Sequence, residues 1–401
     1  MSQDKHYLND DFLGFTKFVW KTTGIGFEKN QPRGFFNTKS FIKYLGYTNL
    51  NLAIIGEILY FIFNFTKFKS FLEMTDVMSY ISLFGLAQIK VYKIISRREL
   101  IESLMERIDR MFPLNKQSQM DHHVNSYYKR VVYGVMLPLT IFTVGAVFIV
   151  VSMPVIKSIV GLLGNGVFEK RLPFLIWYPF DVDSAFVYMF VLIHQGYAGF
   201  IAAMSLLTSD LMLCYMTLQI CMQFTGLCSK LKAMEPKGTR KDIENLNNII
   251  KQHDVIMKLT DDINEIFRVA VFINFLSAGG VICFAGFQIK EGVATDEIIR
   301  YVLNMTFISI QVWILSNVGQ SLKDNSLKVG DAAYEQNWSK ASVPYRRSLI
   351  ILIQRSQYPS TLRGITTNSV DLTDFRNVLY NGYRFFALLN TIYTQNKGVL
   401  Y

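Results

Sequence analysis

The chain has 401 residues, of which 51% are hydrophobic and 18% charged, whereas a soluble domain carries about a quarter charged residues. With 32 Phe and 21 Tyr and a positive mean hydropathy, this composition excludes a string of soluble domains and indicates a polytopic membrane protein. The 41 Lys and Arg against 31 Asp and Glu do not require nucleic acid, because basic residues collect on the cytoplasmic side of membrane proteins.

Residues 1–43 are polar and aromatic, contain Pro32 and Gly34, and lack the apolar core of a signal peptide. They read as a cytoplasmic N-terminal segment, with insertion left to the first membrane helix. Apolar spans then follow at 44–65, 71–95, 130–152, 183–231, 241–288 and 296–321, and a last one after Val370. Each holds at least ~20 mostly apolar residues, enough to cross ~30 Å of hydrocarbon. The expected fold is an all-α membrane protein with seven transmembrane helices.

Loop charge gives the orientation. With the N-terminus inside, segments 1–43, 96–130, 229–251 and 320–347 carry 25 Lys and Arg, and the outer segments 65–73, 153–183, 288–296 and 395–401 carry 7. This asymmetry predicts a cytoplasmic N-terminus and, after seven spans, an extracellular C-terminus, the reverse of a G-protein-coupled receptor. A glycosylation sequon at Asn64-Phe65-Thr66 falls in the first outer loop; those at Asn304 and Asn337 fall in a span and on the inside.

The fourth to sixth helices overrun the bilayer. Their extensions, about 229–262 and 317–345, keep apolar stripes (Ile243, Leu246, Ile250, Ile256 and Leu259; Val329, Ala332, Ala333 and Trp338). Such stripes need a packing partner and predict a cytoplasmic bundle suited to subunit contact within the region 44–345. Residues 346–357 are apolar but too short to span, and Pro359 and Gly364 separate them from the last helix. The region 346–401 therefore reads as a broken seventh helix, with its main part at 370–394 and a short extracellular tail.

Cys214, Cys221 and Cys228 recur every seven residues on one helix and Cys283 stands alone, a pattern of buried small side chains and not of disulfides or a metal site. Ile108-Asp-Arg-Met111 follows the second span, not the third, so it is no G-protein motif. Gly161-Leu-Leu-Gly-Asn-Gly166 lacks the strand–helix frame of a nucleotide loop, and His122-His123 lacks ligands at metal spacing. No nucleophile–base constellation occurs, so no enzyme, cofactor or metal is expected.

An ordered series precedes and enters the last helix: Asp331-Ala-Ala-Tyr334, Trp338, Arg346-Arg347, Arg355-Ser-Gln357, Pro359, Gly364, Leu372, Phe375, Gly382-Tyr383 and Phe386-Ala-Leu-Leu389. Over roughly 320–393 this resembles the C-terminal third of insect odorant receptors; upstream, the likeness is in span number, orientation and long fourth and fifth helices. Gly382 and Arg384 stand where the family usually has Ser. The resemblance implies an odorant-gated cation channel, a heterotetramer with co-receptor subunits in the plasma membrane of olfactory sensory neurons, its pore lined by four last helices. The co-receptor carries a long insertion between the fourth and fifth spans; here that connection is only 232–241, so the chain resembles an odorant-binding subunit. The alternative is a metabotropic seven-helix chemoreceptor without its own pore. Small volatile ligands and membrane lipid are the expected partners, and nucleic acid is not.

On a wheel at ~100° per residue, Gly382, Tyr383, Leu389, Asn390 and Tyr393 fall within about 60° of Phe386. These six are the expected pore face. An apolar ring there could gate by excluding water, and the family likeness puts Phe386 at the gate. Arg384 falls opposite, expected either to turn back into its own subunit or a cytoplasm-connected vestibule or to snorkel with no role in conduction; a charge in a span costs about 2.5–3.5 kcal/mol. A small apolar ligand needs an enclosed aromatic pocket with few polar groups. The outer halves of the second, third, fourth and sixth helices offer Met78, Tyr80 and Phe84; Phe142 and Ile149; Tyr188, His194 and Gln195; and Tyr301 and Met305.

Overall fold

A computed structural model describes residues 38–65, 71–113, 116–122, 127–165, 168–291, 295–366 and 369–399. Most of the N-terminal segment, and Thr66 of the sequon, lie outside the described residues. Within them the chain is helical, without strands. In order, α1 is Thr38–Asn64, α2 Phe71–Ser96, α3 Arg98–Arg110, α4 Lys116–Asp121 and α5 Leu137–Asn165. Then come α6 Ala185–Lys232, α7 Arg240–Lys290, α8 Thr295–Tyr334, α9 Val343–Ser356 and α10 Leu372–Val399.

Five of these among the described residues, α1, α5, α6, α7 and α8, are long and apolar enough to cross a membrane. The other two long helices, α2 with Glu73, Asp76, Lys90 and Lys93 and α10 with Asp374, Arg376 and Arg384, hold no stretch as apolar as these. At 26 and 28 residues and ~1.5 Å per residue both still have the length. α5 is entered through a π-helical stretch, Val132–Met136. It continues past Pro154, well beyond the 130–152 expected, and the Ser158 hydroxyl donates to the Pro154 carbonyl at 2.9 Å.

The sequence did not suggest α3. Its buried residues, Ile101, Leu104, Met105 and Ile108, follow helical spacing, which lays one stripe on the bundle. Arg107 pairs with Asp262 of α7.

One end of the molecule is a bundle of α3, α6, α7, α8 and α9, with Leu246, Ile256, Leu259, Val329, Ala332, Ala333 and Tyr345 buried together. α7 starts on a capping box: the Thr239 hydroxyl accepts from the Asp242 amide and the Asp242 carboxylate accepts from the Thr239 amide. The Thr239 amide holds the Asp242 carboxyl below its usual range. Trp338, expected on the packed stripe, is instead 39% exposed, because α8 ends at Tyr334 and the chain turns through a short 3-10 helix. All four cysteines are free thiols.

At mid-length a polar knot ties four helices. Lys90 of α2, 1% exposed, donates to both Asp210 oxygens at 2.7 and 2.9 Å. Asn274 of α7 donates to Asp210 at 3.2 Å, and so does Gln311 of α8. A buried ion pair offers little net stability over apolar residues, but removing one partner strands a charge. Asp210→Leu should therefore lower the stability of the purified protein by about 3–5 kcal/mol, and the double change Lys90→Met/Asp210→Leu should recover most of the loss in thermal unfolding. An equal loss in the double variant would contradict the pairing.

Candidate functional site

The segment 168–184 folds back against the helices at the end away from the α9 bundle, held by polar side chains of α6. The Gln195 amide brackets Phe174: its oxygen accepts from the Phe174 amide at 3.0 Å and its nitrogen donates to the Phe174 carbonyl at 3.2 Å. The Tyr188 hydroxyl donates to the Arg171 carbonyl at 2.9 Å, and His194 Nδ1 lies 3.1 Å from the Tyr178 hydroxyl. On α1, the Trp177 amide donates to the Gly56 carbonyl at 3.0 Å. A Cβ at Gly56 would collide with Ile176, so the segment seats only over a glycine.

These bonds drive the Phe174 ring inward. It meets Tyr80 and Phe84 of α2 edge-on, with centroids 5.0 and 5.2 Å away. Gly199 of α6 makes room, since a Cβ there would lie 3.2 Å from the Phe174 ring. Beneath is a cavity of about 80 Å³, walled by Tyr80, Phe84, Val147, Phe174, Asn304 and Phe307 among others. Its polar groups are few. Thr143 donates internally to the Leu139 carbonyl at 2.7 Å, and Asn304 lies 3.5 Å from the Tyr80 hydroxyl. The arrangement suits a small, mainly apolar molecule.

Of the ten ligand candidates, Tyr80 and Phe84 line this cavity. Gln195, Tyr188 and His194 anchor its roof. Met78 is 37% exposed and turned outward. Phe142 and Met305 are part-buried outside the lining, and Ile149 borders a neighbouring cavity. Tyr301 is buried beside the cavity, its hydroxyl donating to Asp76 at 2.9 Å. Arg300 donates to the same carboxylate at 3.1 and 3.2 Å, with its guanidinium 5.4 Å from the Tyr80 ring centroid. Phe174, Asn304 and Phe307 were missed; the aromatic run Phe174-Leu-Ile-Trp-Tyr178 was the available signal for the first. Among the described residues no three His, Cys, Asp or Glu group as a metal site.

In α10, the six pore candidates divide. Gly382 is buried against α7, where a Cβ would meet Ile282 at 3.0 Å and the Gly279 carbonyl at 3.4 Å. Phe386 lies over Gly286, Tyr393 stacks edge-on against Phe287 at 5.1 Å, Asn390 accepts from Lys290, and Leu389 is part-buried. The small Gly382 lets the helices approach closely, so the face marked by Phe386 packs inside the subunit. Tyr383 is 63% exposed, with its ring 6.1 Å from that of Phe386, and Phe385, Leu388 and Ile392 are exposed as well. Arg384 does not turn inward; it is exposed on the uncovered side, its guanidinium over the Tyr380 ring at 5.5 Å.

The sequence pattern of the family described as 7tm Odorant receptor matches residues 70–383. Putative odorant receptor 92a of Drosophila melanogaster is 30% identical over 400 residues, covering 98% of this chain and 97% of the relative. Odorant receptor 67c of the same organism is 31% identical over 362 residues, covering 88% of each. The fold matches the insect olfactory receptor OR5 from Machilis hrabei with a TM-score of 0.78 at 15% identity, over 96% of this chain and 99% of that one. The eugenol complex of that receptor matches equally, at 0.78 and 16% identity over 97% and 100%. The chain belongs to the insect odorant receptor family, a family of multi-pass receptors and not of enzymes.

Gln195→Leu should release the roof. Hydrogen exchange at the Phe174 amide should rise about tenfold or more, the loss expected for a buried hydrogen bond; unchanged exchange would show that the segment is held elsewhere.

Proposed function

We propose that the chain is an odorant-binding subunit of a ligand-gated cation channel: a small volatile ligand enters the cavity under Phe174 and opens a pore built with co-receptor subunits. The observation that carries this reading is the aromatic cavity of Tyr80, Phe84 and Phe174 under the 168–184 segment. The relatives' names, and the eugenol bound to the Machilis hrabei receptor, support a small organic ligand. The proposed topology has seven spans, α1, α2, α5, α6, α7, α8 and α10, with a cytoplasmic N-terminus, an extracellular C-terminus and α9 as the inner part of the broken seventh helix. Lys and Arg are concentrated at the bundle end, which supports placing that end in the cytoplasm.

For the pore, the face of α10 not spent on α7 is the available one. We assign lining and subunit contact to Tyr383, Phe385, Leu388 and Ile392, with Gly382, Phe386, Leu389, Asn390 and Tyr393 setting the packing that holds this face in place. Arg384, on the same uncovered side, lies where its charge would oppose cations unless a neighbouring subunit compensates it.

The cavity is smaller than the roughly 150 Å³ that accepts benzene in an engineered core, so ligands bind with some give of the aromatic walls. Filling it should therefore block the response. In cells expressing the chain with a co-receptor subunit, Phe84→Trp should raise half-activating concentrations about tenfold or more, the scale of a removed contact of ~1.4 kcal/mol, without loss of surface protein. An unchanged dose–response would place the ligand elsewhere. In intact cells, a tag on the C-terminus should be accessible and one on the N-terminus protected; the reverse would defeat the channel topology.

A further inference from the structure

Arg300 stands between two cavities. Its guanidinium covers the ring of Tyr80, which walls the aromatic cavity, while Arg300 itself lines a second cavity of about 90 Å³ with Met153, Lys157, Arg171 and Glu297. Val150 of α5 borders both. The guanidinium is fixed from behind. It donates to Asp76 at 3.1 Å, to the Tyr301 hydroxyl at 3.0 Å and to the Pro173 carbonyl at 3.4 Å. Its Nε, however, is buried and has no hydrogen-bond partner. A buried donor left unmade carries a desolvation cost that an acceptor removes.

The cations here are answered by carboxylates. Lys157, Arg171 and Arg300 line the second cavity with Glu297, and Arg171 is paired with Glu169 and Arg300 with Asp76. Glu73 adds its negative charge beside Asp76. Glu57 of α1 adds a buried carboxyl whose two oxygens have no partner. Such a wall offers a donor without a net positive field, so it favours a neutral acceptor over an anion.

We propose that the two cavities form one site for a small amphiphile. Its apolar tail lies against Tyr80, Phe84 and Phe174, and a neutral oxygen acceptor, a carbonyl or ether, sits against Arg300. This rests on the reading of the aromatic cavity as the ligand site, and it adds the chemical class and the residue that reads it. A hydrocarbon would leave the Arg300 donor unmatched, and a carboxylate would meet a wall with no spare cation.

The test uses the full chain with a co-receptor subunit and three probe series: hexane, 2-hexanone and hexanoate, each with homologues one carbon shorter and longer. Dose–response currents are measured, and the same probes are titrated against thermal unfolding of the purified chain, so that binding is read without gating. The ketones should act at concentrations about tenfold or more below the alkanes, the scale of a hydrogen bond to a charged group, with the carboxylates weakest. Arg300→Lys keeps a cation beside Asp76 but loses the Nε–H; it should abolish most of the ketone advantage and leave the alkanes unchanged. The double variant Asp76→Asn/Arg300→Gln, which strands no charge, should do the same if the single variant fails to fold. Equal action of ketones and alkanes, or variants that shift both alike, would overturn the role of Arg300 while leaving the cavity reading intact. Carboxylates acting best would overturn the neutral head group. Silence of all probes in both assays would overturn this inference and the cavity reading together.

Discussion

The paired charges of Lys90 and Asp210 constrain everything around them. Neither can be left alone in an apolar interior, so α2 and α6 must meet at one register. Asn274 and Gln311 then bring α7 and α8 to the same carboxylate. Apolar packing alone tolerates sliding between long, uniformly greasy helices; a charge with a fixed set of donors does not. The knot sets the depth of four helices, and the cavity and last helix inherit their positions from it.

α8 shows how much follows from that registration. Toward one end it contributes Arg300, Asn304 and Phe307 to the ligand region. At its middle Gln311 joins the knot. Further along, Gly319 lies so close to the Val370 carbonyl that a Cβ could not be added, and Lys323 pairs with Asp371 at 3.0 Å just before α10 begins. One continuous helix thus touches the proposed ligand site, the knot and the entry to the last helix. The contacts are a physical route; a measured coupling energy between ligand and last helix would make it a mechanism.

The long helices and their polar extensions were legible because apolar run length and stripe period are local properties of the chain. α3 was not, because its stripe is four residues long and set among three Arg and four acidic residues, too short and too polar to resemble a span. Tyr80 and Phe84 were legible as aromatics at helical spacing. Phe174 was not, because its role depends on a backbone bracket from Gln195, 21 residues away in sequence. The orientation of α10 shows the limit most clearly. A wheel finds which residues share a face, and Gly382, Phe386 and Tyr393 do share one. It cannot say whether that face meets a lumen or a neighbouring helix. The answer lay in Gly382 itself, whose missing Cβ lets α10 close on Ile282 and the Gly279 carbonyl of α7.

The central claim is that a small ligand sits beneath Phe174, between α2, α5, α6 and α8, and not along α10. A cryo-electron microscopy map of the assembled receptor with an activating ligand tests it directly. The account requires ligand density bounded by Tyr80, Phe84 and Phe174, with Lys90 and Asp210 still paired below it. Ligand density against the uncovered face of α10, with the Phe174 cavity closed and empty, would contradict it.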